Sequence, residues 1–285
     1  MFMIWLLVVS LIWAFSFGLI KTQLSGLDSS FVSFIRMLIS YIVFLPFLRL
    51  KNIEKPLIFK LIITGMIQYG LMYLTYIYAY RFLAAYEAAL FTIFTPLYIT
   101  LFNDLFSGKF HRLFLFEAFI SVIAVAIVVY NRLSTNGLIA GFILMQISNL
   151  SFAFGQIYYK KLLRNKTIND SHIFALLYGG AVLLTGLTLL IQGSLNSIQI
   201  GAQQVYTLLY LGAIASGLSF FLWNYGVRRT NTGALSIFNN LKIPLAIAVS
   251  IIFFNEQADI TRLLIAFAIL LGLLFYNQSY IKKDD

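Results

Sequence analysis

MFMIWLLVVSLIWAFSFGLI, residues 1–20, decides what kind of fold this chain has. It carries no charge, and within it LLVVSLIWAF, residues 6–15, is apolar on every side. A barrel strand would alternate strictly over about ten residues, whereas about 20 apolar residues in a helix cross a hydrocarbon core of roughly 30 Å. The stretch therefore reads as a transmembrane helix. No basic residue precedes it and no clear small-residue cleavage site is present, so it is expected to remain as the first span and not to be a removed signal peptide.

Working outward, comparable stretches recur to the end of the chain. The expected spans are 2–20, 31–49, 57–80, 84–106, 112–130, 136–158, 172–192, 204–227, 231–254 and 262–280. Of the 285 residues 61% are hydrophobic and 11% charged, far from the shares of a soluble domain. The expectation is an all-α polytopic membrane protein with ten transmembrane helices. There is no cysteine, and His111 and His172 have no Asp, Glu or second His at ligand spacing, so neither a metal nor another cofactor is expected. The net charge of +10 comes without a basic stripe interleaved with aromatics, so nucleic acid is not an expected partner.

The basic residues instead set topology. With the N-terminus placed inside, fourteen of the twenty Lys and Arg fall in cytoplasmic segments and four, Lys21, Arg81, Arg132 and Arg262, fall outside. That bias predicts both termini in the cytoplasm. Arg36 and Lys242 remain within the membrane.

The chain also repeats itself. WAFSFGLIK at 13–21 matches FAFGQIYYK at 152–160, and aligning Pro96 with Pro244 brings Arg81 onto Arg229. Each half, 1–130 and 136–280, then holds five helices. Because five is odd, the second copy enters the membrane from the opposite side, an inverted repeat of the kind found in carriers.

These features, together with FIRMLIS in the second span, FTIFTPLYITLFNDLFSGK in the fourth and IFNNLKIPLAIAVSIIFFNEQ in the ninth, resemble the EamA-type branch of the drug/metabolite transporter superfamily over nearly the whole chain. In that family each half has a proline in its fourth helix and a Gly-Glu type turn after it. Pro96 with Ser107-Gly108 and Pro244 with Asn255-Glu256 match this pattern. Lys109 stands where the family often has Glu, and Lys242 is not a usual family residue. The resemblance implies a multi-pass carrier of a bacterial-type inner membrane, with export slightly favoured. Family members move amino acids, amines, nucleotide-like compounds and sugars, so substrate is not carried over.

Lys242 is the leading candidate for contact with substrate. It lies about 16 Å from either end of the ninth span, at 1.5 Å per residue, and its stem of about 6 Å cannot snorkel to the headgroups. It must face a cavity or a partner, as a counter-ion, a proton-coupling group or a structural cation. Pro244 frees a backbone acceptor beside it, and with Asn239 and Asn240 it forms a polar patch. Pro96 and Pro244 are expected to bend their helices.

Tyr69, Tyr73, Tyr76 and Tyr80 share one face of the third span, which serves packing or binding. Gln146, Asn149 and Gln156 share a face of the sixth span that is expected to turn inward. Trp13 in the first span and Asn224 at the end of the eighth complete the lining candidates. Arg36 and Glu87 are expected either to pair with each other or to meet substrate. Glu117 and Asp104 are expected at the cytoplasmic interface.

The combined expectation is a secondary carrier with a cavity between spans 1, 3, 4, 6, 8 and 9. Lys242 and Asn239 would receive a carboxylate, and the tyrosines and Trp13 would cover an apolar body. A small polar metabolite such as an amino acid or related carboxylate or amine fits. The alternatives are uptake of a larger anionic or nucleotide-like metabolite, or a non-transporting sensor. No HExxH, GxSxG or close carboxylate pair supports an enzyme. Reporter fusions test the topology: one in 193–203 should read external and one in 160–170 cytoplasmic, and either result reversed removes the inverted repeat.

Overall fold

The computed structural model describes residues 3–24, 26–51, 53–83, 85–129, 138–192, 200–254 and 260–284. Among these residues every regular element is helical. The helices are α1 (Met3–Leu19), α2 (Ser29–Phe44), α3 (Lys55–Gly65), α4 (Met72–Ala79), α5 (Ala85–Phe91), α6 (Thr95–Ser107), α7 (Arg112–Val129), α8 (Leu138–Leu162), α9 (Phe174–Gln192), α10 (Ala202–Tyr210), α11 (Ser219–Arg228), α12 (Thr232–Phe254) and α13 (Ile260–Asp284). Nine helical stretches among the described residues are long and apolar enough to cross a membrane. α7 is a further apolar helix of 18 residues between the fourth and fifth of them. Asn255 and Glu256, Arg132, the junction 130–136 between the expected halves, and 193–199 of the loop before α10 lie outside the described residues.

Several spans combine more than one helical form. α3 passes through a π-helical segment, Met66–Leu71, into α4. α10 passes through another, Leu211–Leu218, into α11. A third, Ile20–Leu24, ends the first span. The segment Thr92–Phe94 is 3-10 and joins α5 to α6, where Pro96 sits in the first turn and its missing N–H costs nothing. α12, by contrast, is assigned helical through Pro244.

The ends are capped as the sequence suggests. Asp28 accepts from the Ser30 and Phe31 amides at 3.0 Å each, and from the Ser30 hydroxyl. Partial burial opposes its charge, but these bonds and Arg81 outweigh it and hold the carboxyl below its usual range. Gly108 ends α6 at φ 65, a left-handed backbone that glycine adopts without strain.

Contacts between helices come in matched pairs. α1 packs on α12 and α11, while α8 packs on α6 and α4. α2 lies along the π segment 211–218, α9 lies along the π segment 66–71, and α2 and α9 meet each other. The tightest approach is between α3 and α9. A Cβ on Gly65 would stand 1.8 Å from the Leu177 carbonyl oxygen, and one on Gly180 would stand 2.0 Å from that of Ile62. With no hydrophobic force between helices in lipid, such backbone-to-backbone contact is a main source of attraction.

Two acidic side chains find partners across turns or helices. Glu117 is fully buried: both of its carboxylate oxygens accept from Asn277 Nδ2, at 2.9 and 2.8 Å, because Gly233 of α12 leaves room for them. Asp104 Oδ1 lies 2.6 Å from His111 Nδ1, since the turn at Gly108 folds the chain back onto the end of α6.

Gly65→Ala and Gly180→Ala place a methyl group against backbone, which no rotamer change relieves. Each should destabilise the protein by about 1–3 kcal/mol and lower the melting temperature of the detergent-solubilised protein by several degrees. Gly272→Ala, whose Cβ would meet nothing within 4 Å, is the control and should melt as the parent does. Equal melting of all three would show that the close crossing contributes no stability.

Candidate functional site

A cavity of about 80 Å³ lies inside the bundle, lined by Trp13, Ser16, Phe17, Ile20, Arg36, Met72, Tyr73, Tyr76, Thr92, Ser148, Asn149, Phe152, Phe220 and Lys242. Its walls come from each of the six spans expected to line it, 1, 3, 4, 6, 8 and 9, and α2 joins them through Arg36. A pocket that engulfs a small metabolite usually holds about 300 Å³ or more. The aromatic walls must therefore part to admit one.

The walls are rings packed on rings. Trp13 meets Phe220 at 5.3 Å, Trp223 at 4.8 Å and Phe152 at 5.8 Å between centroids, and Phe220 meets Tyr73 at 5.8 Å. The Trp13 indole N–H donates to the Ala215 carbonyl at 2.8 Å, which ties α1 to the π segment 211–218. Lys242 is 6% exposed and faces this cavity. Its Nζ lies 5.8 Å from the ring centroids of both Trp13 and Phe152. Among the described residues it makes no hydrogen bond or ion pair in the structure.

Arg36 is 2% exposed. Its Nη2 donates to the Tyr73 hydroxyl at 2.6 Å and to Ser216 Oγ at 3.0 Å, and the guanidinium carbon stands 4.4 Å from the Tyr73 ring centroid. Nε and Nη1 are buried without a hydrogen-bond partner. Of the two alternatives for Arg36, pairing with Glu87 is not formed: its hydrogen bonds go to Tyr73 and Ser216. Glu87 is itself fully buried at the start of α5.

Of the residues singled out in the sequence, Trp13, Arg36, Tyr73, Tyr76, Asn149 and Lys242 line the cavity, and the others do not. Tyr80 hydrogen-bonds Tyr76 at 2.7 Å, one turn away. Gln146 accepts from Tyr98 and donates to the Phe91 carbonyl, which also receives Asn149. Gln156 accepts from Trp223 Nε1 at 2.8 Å and from Asn239 Nδ2 at 3.3 Å. Asn224 and Gln68 exchange amide hydrogen bonds at 2.9 and 3.2 Å. The polar face of α8 thus turns inward, and much of it is spent on joining helices.

Sequence reasoning missed Ser16, Phe17, Ile20, Met72, Thr92, Ser148 and Phe220. Two had a usable signal. In the register that superposes Pro96 and Pro244, Met72 falls on Phe220, and in the register of the two aromatic-Ala-Phe motifs Trp13 falls on Phe152. All four line the cavity.

A second, wider cavity of about 620 Å³ is lined by the ends of α6, α8 and α11 and the segments beside them. Lys109, Lys160, Lys161, Arg164 and Arg228 line it, and Arg228 is held by Asp170 at 2.8 Å.

The EamA-like transporter family model matches residues 1–130 and 139–278. The chain is 34% identical over 278 residues to a biotin transporter of Salmonella typhimurium, covering 97% of this chain and 93% of that one. It is 32% identical over 277 residues to a probable biotin transporter of Pseudomonas aeruginosa, covering 96% of each. A solved crystal structure 14% identical in sequence superposes with a TM-score of 0.76 over 95% of both chains, which shows the fold alone. These relatives give no support to an amino-acid substrate or to export. The chain is a small-metabolite transporter rather than an enzyme, and it belongs to the EamA-like transporter family.

Proposed function

We propose that the chain is a secondary carrier for a biotin-like carboxylate in a bacterial-type inner membrane, and that Lys242 receives the carboxylate. The observation that carries this is a buried ammonium that faces the cavity and lacks any protein counter-ion among the described residues. Leaving a charge out of water without a partner costs several kcal/mol. Two aromatic faces return only about 0.5–2 kcal/mol. A substrate carboxylate supplies what the protein leaves out.

Biotin suits the rest of the lining. It is a monocarboxylate on a four-methylene chain that ends in a compact bicyclic ring, so it presents one charge and a largely apolar body. Trp13, Phe152 and Phe220 offer ring faces for that body next to Lys242. The names of the relatives point to the same molecule. A nucleotide-like anion would bring more negative charge than one lysine and one arginine match, and more bulk.

In this reading α7 is the fifth of ten spans, 1–130 and 136–280 are inverted five-helix repeats, and both termini are cytoplasmic. The matched helix contacts and the family match to each half support the repeat. The basic cavity would then open to the cytoplasm as the inner mouth of the path, where its cations raise the local concentration of anions.

Purified protein in liposomes provides the test. Lys242→Met keeps the bulk and apolar stem of the side chain and removes its charge. It should melt no lower than the parent, weaken biotin binding by about 10- to 100-fold and abolish biotin counterflow. Lys242→Arg should retain part of the activity, since a guanidinium has a different donor geometry. A well-folded Lys242→Met with unchanged biotin affinity rules out the counter-ion role. Absence of biotin counterflow in the parent, with exchange of another solute, rules out the substrate.

A further inference from the structure

We propose that the cavity has a second anchor, the Arg36 guanidinium, one of whose two unpaired nitrogens, Nε or Nη1, donates to a neutral planar carbonyl at the end of the substrate remote from its carboxylate. For biotin this is the ureido oxygen. The proposal rests on the carboxylate-carrier reading above and specifies which molecules that carrier accepts.

Two donors of one side chain are buried without partners, and that side chain lines the cavity. Buried donors left unmade each cost on the order of 1–3 kcal/mol, so native structures rarely keep two together without use. The third nitrogen shows what holds the group in place. Nη2 is fixed by Tyr73 and Ser216, and Ser216 in turn donates to the Leu211 carbonyl at 2.7 Å. The guanidinium is therefore oriented by α4 and by the π segment 211–218, with its remaining donors unspent.

The two cations lie on either side of a row of rings. From Lys242 Nζ the contacts run to Trp13, then Phe220, then Tyr73 and then the Arg36 guanidinium, at 5.8, 5.3, 5.8 and 4.4 Å. A ligand that spans them needs an acceptor at each end and an apolar middle. Where Lys242 has ring faces alone, Arg36 has a ring face and two hydrogen-bond acceptors, Tyr73 and Ser216, so the ligand end that meets it needs an acceptor that is not itself an anion. A cyclic urea fits this description, and a plain alkyl carboxylate supplies only half of it.

Three ligands read the two ends separately: biotin, heptanoate, which has the acid and no ring, and heptanedioate, which has an acid at each end. Calorimetric titration of the detergent-solubilised parent should give the order biotin tightest, with heptanoate and heptanedioate both weaker. Arg36→Lys keeps a positive charge and loses the planar guanidinium with its unpaired donors. It should weaken biotin by about 10- to 100-fold and leave heptanoate within about threefold, so that selectivity between them collapses. Loss of both ligands by the same factor, or retention of full biotin affinity, overturns the second anchor while leaving the carrier reading standing. Heptanedioate binding more tightly than biotin overturns the neutral-carbonyl assignment, and a parent that binds no biotin at all overturns both readings. Should Arg36→Lys not fold, the ligand carries the same test on the parent. The diamino acid that remains when the urea carbonyl of biotin is removed should bind about 10- to 100-fold more weakly than biotin, and equal binding refutes the proposal.

Discussion

Hydrocarbon offers no water to a polar group, and that single fact governs where every amide, hydroxyl and charge of this chain has gone. Gln156 sits between α8, α11 and α12 and accepts from both Trp223 and Asn239. Gln68 and Asn224 close a reciprocal amide pair between the spans that hold the π segments 66–71 and 211–218. Asn240 reaches Ser121 on α7, and Asn277 reaches Glu117. Each of these bonds crosses from one helix to another, so satisfaction of polar groups and assembly of the bundle are the same process. Against that background the groups left unsatisfied stand out, and the two cations at the cavity are foremost among them.

The close crossing of α3 and α9 is a second source of attraction. Glycine at 65 and 180 removes side chains where two backbones meet, and the π segment 66–71 begins beside these contacts. A π turn places one extra residue in the helical circuit, which re-aims the side chains that follow it. Tyr73 and Tyr76 follow the segment 66–71, and Phe220 follows 211–218; all three line the cavity. Local backbone geometry thus reaches the site directly.

How much of this was legible depended on the kind of signal. Membrane spans could be read because twenty apolar residues in a row have few other uses. Lys242 and Trp13 could be found because a charge far from both helix ends, and an indole in a repeated motif, are each conspicuous. The π segments left no mark, since MIQYGL and LGAIASGL have the composition of ordinary transmembrane helix. Of the two alternatives for Arg36, opposite charge suggested Glu87, whereas the bundle offers it a tyrosine and a serine. Asn239, Gln156 and Asn224 were read as lining because amides in a membrane helix must face inward, but inward includes every other helix as well as the cavity. Phe220 and Met72 were passed over as ordinary apolar residues, and only the register of the two prolines distinguishes them.

The bond from the Trp13 indole to the Ala215 carbonyl makes one ring a member of two structures at once. It is a wall of the cavity, and it is also a clasp on the π segment that orients Arg36 through Ser216. Under the carrier reading, a guest larger than the cavity would displace this ring and with it the bond to Ala215, so that one contact would couple occupancy of the cavity to the π segment.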